Sequence, residues 1–238
     1  MKEIPPTPQS FREIAAAADR LLTGLAGLTD ADVPAPARLP GWTRGHVLSH
    51  LARQAPALER LLTWARTGVE TAQYPDRATR DAEIEAGAHR SAAALIADVR
   101  ETAAHFQHTV ETLPEPAWQA TIRPFTGELC TPQRVLVIRI RELELHHVDL
   151  DLGYRVADIP APARAVILAD VLGYYAQAAD VPDFALRDDA GAELARYGTG
   201  GPVVSGSPAD ALAWLSGRST GTGLRSTAGP LPVLPRWL

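Results

Sequence analysis

A single cysteine, Cys130, among 238 residues excludes an internal disulfide and leaves too few thiolates for a cysteine-ligated metal. No apolar run reaches the roughly 18 residues that a membrane-spanning helix needs. The opening residues, MKEIPPTPQS, lack the charged segment and apolar stretch of a secretion signal. Cationic residues are in the minority: 23 Lys and Arg stand against 28 Asp and Glu, a formal net charge of −5, and they are dispersed rather than clustered. Such a chain has no electrostatic footprint for nucleic acid. Internal repeats and low-complexity segments are also missing. Together these absences predict a cytoplasmic protein in a reducing compartment, with neither nucleic acid nor membrane as a partner. What is present is a 46% hydrophobic composition, enough over this length to build a full core in one large domain or two smaller ones.

The texture changes once along the chain. Up to about residue 153 the hydrophobic pattern has the period of long helices, predicted over about 9–28, 43–67, 79–113 and 131–153. Thr43 is a good N-cap for the second and Gly68 a stop. Gly87 is a candidate break in the third, and Thr131 with Pro132 reads as the N-cap and first residue of the fourth. Four helices of this length predict a bundle. Beyond Ile159-Pro160 the segments shorten and Gly, Pro, Ser and Thr become frequent. Here the pattern predicts a helix at about 161–180, strands near 183–188, 193–197 and 201–205, a short helix at 208–217 and a Pro-rich tail. The expected fold class is therefore α+β, with a four-helix bundle at 1–157 and a smaller α+β domain at 158–238.

Two stretches carry chemistry. In GWTRGHVLSH, at 41–50, His46 and His50 are one helical turn apart; in RELELHHVDL, at 141–150, Glu142 and His146 are. Two antiparallel helices could offer two imidazoles and one carboxylate to one ion and leave a position open. On the second helix His50 borders the stripe of Val47, Leu51, Leu58, Leu62 and Ala65, whereas His46 lies toward the polar side. Apolar residues nearly encircle the fourth helix, as in a buried helix, and its narrow polar gap holds Arg139, Glu142, His146 and Asp149. Glu144 points to the opposite side and His147 is turned by about 100°. Either stretch alone is more often an ordinary ion pair, or a surface or satisfied core pair of histidines, than a metal site; both on the right pair of long helices, with no competing cluster elsewhere, favour the metal. His89, His105 and His108, on the charged third helix, read as solvated, and Cys130, before a helix start, reads as a small buried apolar residue.

The order LPGWTRGHVLSH, LTWARTGVET followed by a tyrosine, RELELHHVDL, VVSGSPADALAWLSGR and the terminal PRWL resembles the mycothiol-dependent maleylpyruvate isomerases, a family of DinB-like metalloenzymes. The likeness spans almost the whole chain. It implies a DinB-like helical bundle, a C-terminal domain that contributes to the active-site cleft, and a divalent ion, usually zinc, held by His50, Glu142 and His146. It also implies a role for the arginine of the SGR segment, Arg218, in binding substrate or cofactor. Without the resemblance Arg218 is a surface residue at a helix C-terminus. The segment 70–130, and Glu144 and His147 beside the expected ligands, depart from the family pattern.

The implied activity is a cis-trans isomerisation in aromatic catabolism of the gentisate type, converting maleylpyruvate to fumarylpyruvate by thiolate addition, rotation and elimination. Its cofactors are Zn(II), or another divalent ion, and mycothiol, whose sulfur an open metal position would hold as thiolate. Cys130 is then not needed. Two other readings share the motif: a mycothiol S-transferase acting on another electrophile in detoxification or specialised metabolism, and a non-enzymatic metal-dependent binding module. The expected partners are small molecules, a substrate and mycothiol, with the chain a monomer or weak homo-oligomer.

Overall fold

The computed structural model describes residues 4–237, so the outermost limits of both expected domains, at residues 1 and 238, lie outside the described residues. The chain divides into two compact units, residues 4–154 and 155–237. Among the described residues no helix is long and apolar enough to cross a membrane.

The first unit holds α1 (Pro8–Gly24), α2 (Arg44–Thr67), α3 (Arg77–Ala88), α4 (Ala92–Thr112) and α5 (Gln133–Asp149). α1 and α2 each pack against both α4 and α5, which closes these four into a bundle, and α3 lies against α2. Polar caps set the starts: Thr43, Asp76 and Ser91 accept backbone N–H groups in the first turns of α2, α3 and α4. Gly68 ends α2 in the left-handed region, at φ 72°. α5 starts at Gln133, one residue later than the sequence predicts. Pro132 occupies the cap itself, and no side chain caps this end. Almost every residue of α5 is buried, in keeping with its near-continuous apolar belt.

The helix expected over 79–113 is two helices. The break falls next to Gly87, where the sequence suggests it: α3 ends at Ala88, the chain turns at His89 and Arg90, and Ser91 caps a new helix by accepting the Ala94 N–H at 3.3 Å. Gly87 also serves packing. A Cβ there would meet Ser49 Oγ at 2.3 Å, and a Cβ on Gly45 would meet the Ala88 carbonyl oxygen at 2.0 Å. These two glycines let α3 run close along α2 in the antiparallel sense, a contact sealed by the Ser49 hydroxyl donating to the Ile84 carbonyl at 2.8 Å.

The second unit contains a 3-10 turn (Val156–Asp158), α6 (Ala161–Tyr175), β1 (Phe184–Arg187), β2 (Glu193–Tyr197), β3 (Val203–Ser205), α7 (Pro208–Leu215) and β4 (Arg225–Ser226). The strands form one sheet in the order β2-β1-β3-β4, with β1 antiparallel to β2 and parallel to β3, and β4 antiparallel to β3. β1 buries Phe184, Ala185 and Leu186 in succession, the signature of a central strand. Phe184 packs against Tyr197 and Trp214, and the Tyr175 hydroxyl donates to the Leu215 carbonyl at 2.8 Å, tying α6 to α7. The two-residue β4 was not foreseen, since a strand that short has no periodicity to read.

Candidate metal centre

α2 and α5 run antiparallel, and their contact brings the one-turn pairs of the two sequence motifs together. His50 reaches Glu142 with Nε2 at 2.8 Å from Oε2, and His146 Nε2 lies 3.3 Å from the same oxygen. The two imidazole rings meet edge to face, their centroids 4.8 Å apart. One donor atom from each of His50, Glu142 and His146 falls within 4.8 Å of the others. No other group of His, Cys, Asp or Glu among the described residues converges in this way.

The remaining nitrogen of His146 is also engaged. Nδ1 lies 2.9 Å from Oδ2 of Asp149, which has no exposed surface, so the imidazole donates its Nδ1 proton to a buried carboxylate and turns Nε2 toward the cluster. Arg141 lies 3.2 Å from the other oxygen of Glu142. Trp42, just ahead of α2, sets its ring edge-on to His50 at 5.6 Å.

Burial governs the titration of all three residues, and hydrogen bonding decides the sign. Burial drives His50 down to about 4, with Glu142 opposing it only in part. Burial would lower His146 too, but hydrogen bonds to Asp149 and Glu142 outweigh it and push this imidazole up to about 9. Burial would raise Glu142, yet hydrogen bonds from His146 and His50 and the charge of Arg141 hold its carboxyl well below the usual range. Without an ion, the cluster is thus an anionic carboxylate with a proton shared onto His146. A divalent cation can take the place of that proton. Two imidazoles and one carboxylate form a mixed nitrogen and oxygen set suited to zinc, whose bonds of about 2.0–2.2 Å such a cluster can supply. The buried carboxylate behind His146 is the support that metal-ligating histidines usually have. The residues fit the ion.

The other residues singled out in the sequence lie apart. His46 closes a capping box with Thr43 and pairs through Nε2 with Glu85 of α3 at 3.0 Å. Glu144 faces α1, where Arg20 and the Tyr154 hydroxyl hold it. His147 stacks on Tyr154 at 3.8 Å. His89, His105 and His108 are exposed, the first two paired with Glu85 and Glu59. Cys130 is half-buried, and its backbone bridges Ile122. In the second unit Arg218 follows α7, donates to the Ser216 carbonyl at 2.8 Å and lies 5.7 Å over the Trp237 ring.

The roles of three neighbours of the cluster escaped the sequence reading. Asp149 was in the polar gap of its helix, and its spacing of three from His146 was the available signal. Tyr74 and Arg80 come from the segment 70–130, where nothing in local spacing links them to α2 or α5. Only the α2–α3 contact does.

Residues 14–151 match the family model described as the mycothiol maleylpyruvate isomerase N-terminal domain. Two solved structures are similar over 100% of this chain and 100% of their own. One is a mycothiol-dependent maleylpyruvate isomerase, at 27% identity and a TM-score of 0.91. The other is a histidine-to-alanine mutant of such an isomerase, at 26% identity and a TM-score of 0.90. Comparison with curated protein sequences gives no match. The α+β architecture described above is the one those two structures share.

Proposed function

The chain belongs to the mycothiol maleylpyruvate isomerase N-terminal domain family, and from that premise we propose that it is a zinc- and mycothiol-dependent isomerase that converts maleylpyruvate to fumarylpyruvate. The observation that carries this reading is the similarity to such an isomerase over both whole chains, the C-terminal unit included. Convergence of His50, Glu142 and His146 supports the metal part of it.

When bound, the ion and the thiol supply a thiolate near neutral pH, whose addition makes the conjugated cis double bond single and whose elimination restores it as trans. The protein's own residues set the conditions. His50 and His146 contribute neutral donors and Glu142 one negative charge, so a divalent ion keeps a formal charge of +1 that one thiolate neutralises. Asp149 keeps a proton on Nδ1 of His146 and holds that ring in orientation. The cluster is largely enclosed, with side-chain exposures of 5% for His50, 16% for Glu142 and 13% for His146, which limits water around it. Arg218 is assigned the binding of a substrate carboxylate, or of the enolate formed on addition. The thiolate that adds is the one that leaves, so the cycle needs no net proton, oxidant or reductant.

The test is turnover by zinc-loaded protein, following maleylpyruvate loss and fumarylpyruvate formation with and without mycothiol. Conversion that requires both ion and thiol supports the reading. Thiol-independent conversion overturns the cofactor assignment. Accumulation of a mycothiol adduct of another electrophile, with maleylpyruvate untouched, makes the protein an S-transferase.

A further inference from the structure

The close run of α3 along α2 carries an arginine to the side of His50 that faces away from Glu142. Arg80 Nη2 stands 3.5 Å from His50 Nδ1, and the guanidinium lies 5.9 Å over the ring of Tyr74. The side chain is largely enclosed, at 19% exposure, and its other terminal nitrogen, Nη1, pairs at 2.6 Å with Asp81, a carboxylate 53% exposed and open to water. Nη2 is thus aimed at the cluster while Nη1 keeps a weak solvent-side partner.

Support for His50 does not explain this placement. An imidazole that gives its Nε2 lone pair to a cation carries its proton on Nδ1. His146 meets that requirement with Asp149 as acceptor. Behind His50 the neighbour is Arg80, which has no acceptor atom at all. In the ligating tautomer, Nδ1–H and Nη2–H therefore face each other as two donors, with the Tyr74 hydroxyl, hydrogen-bonded to Arg80, beside them. Two converging donors, one carrying a permanent charge, form a cradle for an anionic oxygen. Tyr74 adds a third polar group at its edge: burial pushes its phenol up to about 12, so its hydroxyl stays protonated.

We propose that Arg80 and the Nδ1–H of His50 together bind one carboxylate of a dicarboxylate substrate, which makes Arg80 a specificity-determining residue of this centre. The inference rests on the proposed function for the ion at His50 and extends it to the substrate class. The charges agree. A divalent ion on this donor set with one thiolate is neutral, so a dianion arriving there needs cationic groups from the protein. Arg80 supplies one from the same unit as the cluster.

Binding of maleate, a cis-dicarboxylate without the reactive keto group, to the zinc-loaded full chain tests this by titration calorimetry. Arg80→Met should keep the zinc content of the wild type and weaken maleate binding by roughly ten- to hundredfold, the loss expected for one charge-assisted contact. Arg80→Lys should recover part of it, because a point charge lacks the planar fork. Arg77→Met is the control. It removes the same charge one turn earlier, from an exposed residue stacked on Phe125, and should leave binding unchanged. Crotonate, a monocarboxylate, should bind weakly and ignore Arg80. The proposal is overturned by Arg80→Met binding maleate as the wild type does, by wild type preferring maleate no more than crotonate, or by Arg80→Met losing its zinc, which would make Arg80 a prop for His50. Arg80-dependent maleate binding without maleylpyruvate turnover would refute the isomerase reading alone. Turnover with Arg80-independent binding would refute this proposal alone.

Discussion

Glu142 and Glu144, two residues apart on α5, serve different helices: Glu142 stands 2.8 Å from His50 of α2, whereas Glu144, 1% exposed, is held by Arg20 of α1 and by the Tyr154 hydroxyl at 2.7 Å. A half-turn of helix separates a site carboxylate from one that anchors the bundle.

The two should part in experiment. Glu142→Ala is expected to lose most of the bound metal. Glu144→Ala should keep about one ion per chain but unfold more easily, by about 2–4 kcal/mol, because it strands a half-buried hydroxyl and breaks an ion pair whose carboxylate is buried and whose arginine is only partly exposed. Metal analysis beside urea unfolding of both variants measures this. Equal metal loss from Glu144→Ala would defeat the separation.

His46 and His50 offer the same contrast on α2. His46 caps the helix and pairs with the exposed Glu85, so His46→Ala should cost about 1 kcal/mol or less and retain the ion. His50→Ala and His146→Ala should each reduce metal content. Retention of full occupancy by these two, or loss from His46→Ala, would show that the ion sits elsewhere.

Much of this was legible because both motif pairs lie within single long helices, whose phase local spacing fixes. The period of α2 placed His50 at the apolar border and His46 outside it, and the belt of α5 left a gap holding Glu142 and His146. The second unit's β1, β2 and β3 were visible as short segments between glycines and prolines. What stayed hidden depends on contacts between elements. Gly87 marked the place where the third helix breaks, but not that its lack of a side chain also serves the approach of Ser49. Arg80 reaches His50 only because that approach is close, and no local pattern encodes a distance between helices.

Asp149 should tune the ion without touching it. Asp149→Ala removes the acceptor for the Nδ1 proton of His146 and is expected to weaken zinc binding by about 10- to 100-fold. Asp149→Asn should do less harm, since an amide oxygen can still accept that proton. Competition against a chelator of known affinity reads both. Wild-type affinity in Asp149→Ala would mean that packing alone orients the ring.

The α2–α3 contact should respond sharply to one methyl group. A Cβ on Gly45 would meet the backbone carbonyl of Ala88 at 2.0 Å, which only a shift of a helix can relieve, so Gly45→Ala should destabilise by about 1–3 kcal/mol despite the better helix propensity of alanine. Gly27→Ala is the control, because nothing lies within 4 Å of its added Cβ. Thermal unfolding of the pair settles it, and similar midpoints would show that α3 yields easily.

Arg218 is the residue for which structure and proposed role differ most. Gly217, in the left-handed region at φ 74°, turns the chain out of α7, and the Arg218 side chain then returns to the Ser216 carbonyl at 2.8 Å. A capping role predicts a small stability loss, about 0.3–1 kcal/mol for Arg218→Ala, and no kinetic defect once the protein is folded. The anion-binding role proposed here predicts the reverse. Arg218→Ala should retain its zinc and nearly all its stability, and lose roughly a hundredfold in kcat/KM, of the order seen when one oxyanion donor is removed. Lysine should restore only part, because it supplies charge without the fork that pairs with a carboxylate. Unfolding midpoint, metal content and mycothiol-dependent turnover measured on the same preparations separate the two roles. Turnover in Arg218→Ala equal to wild type would reduce this arginine to a helix cap.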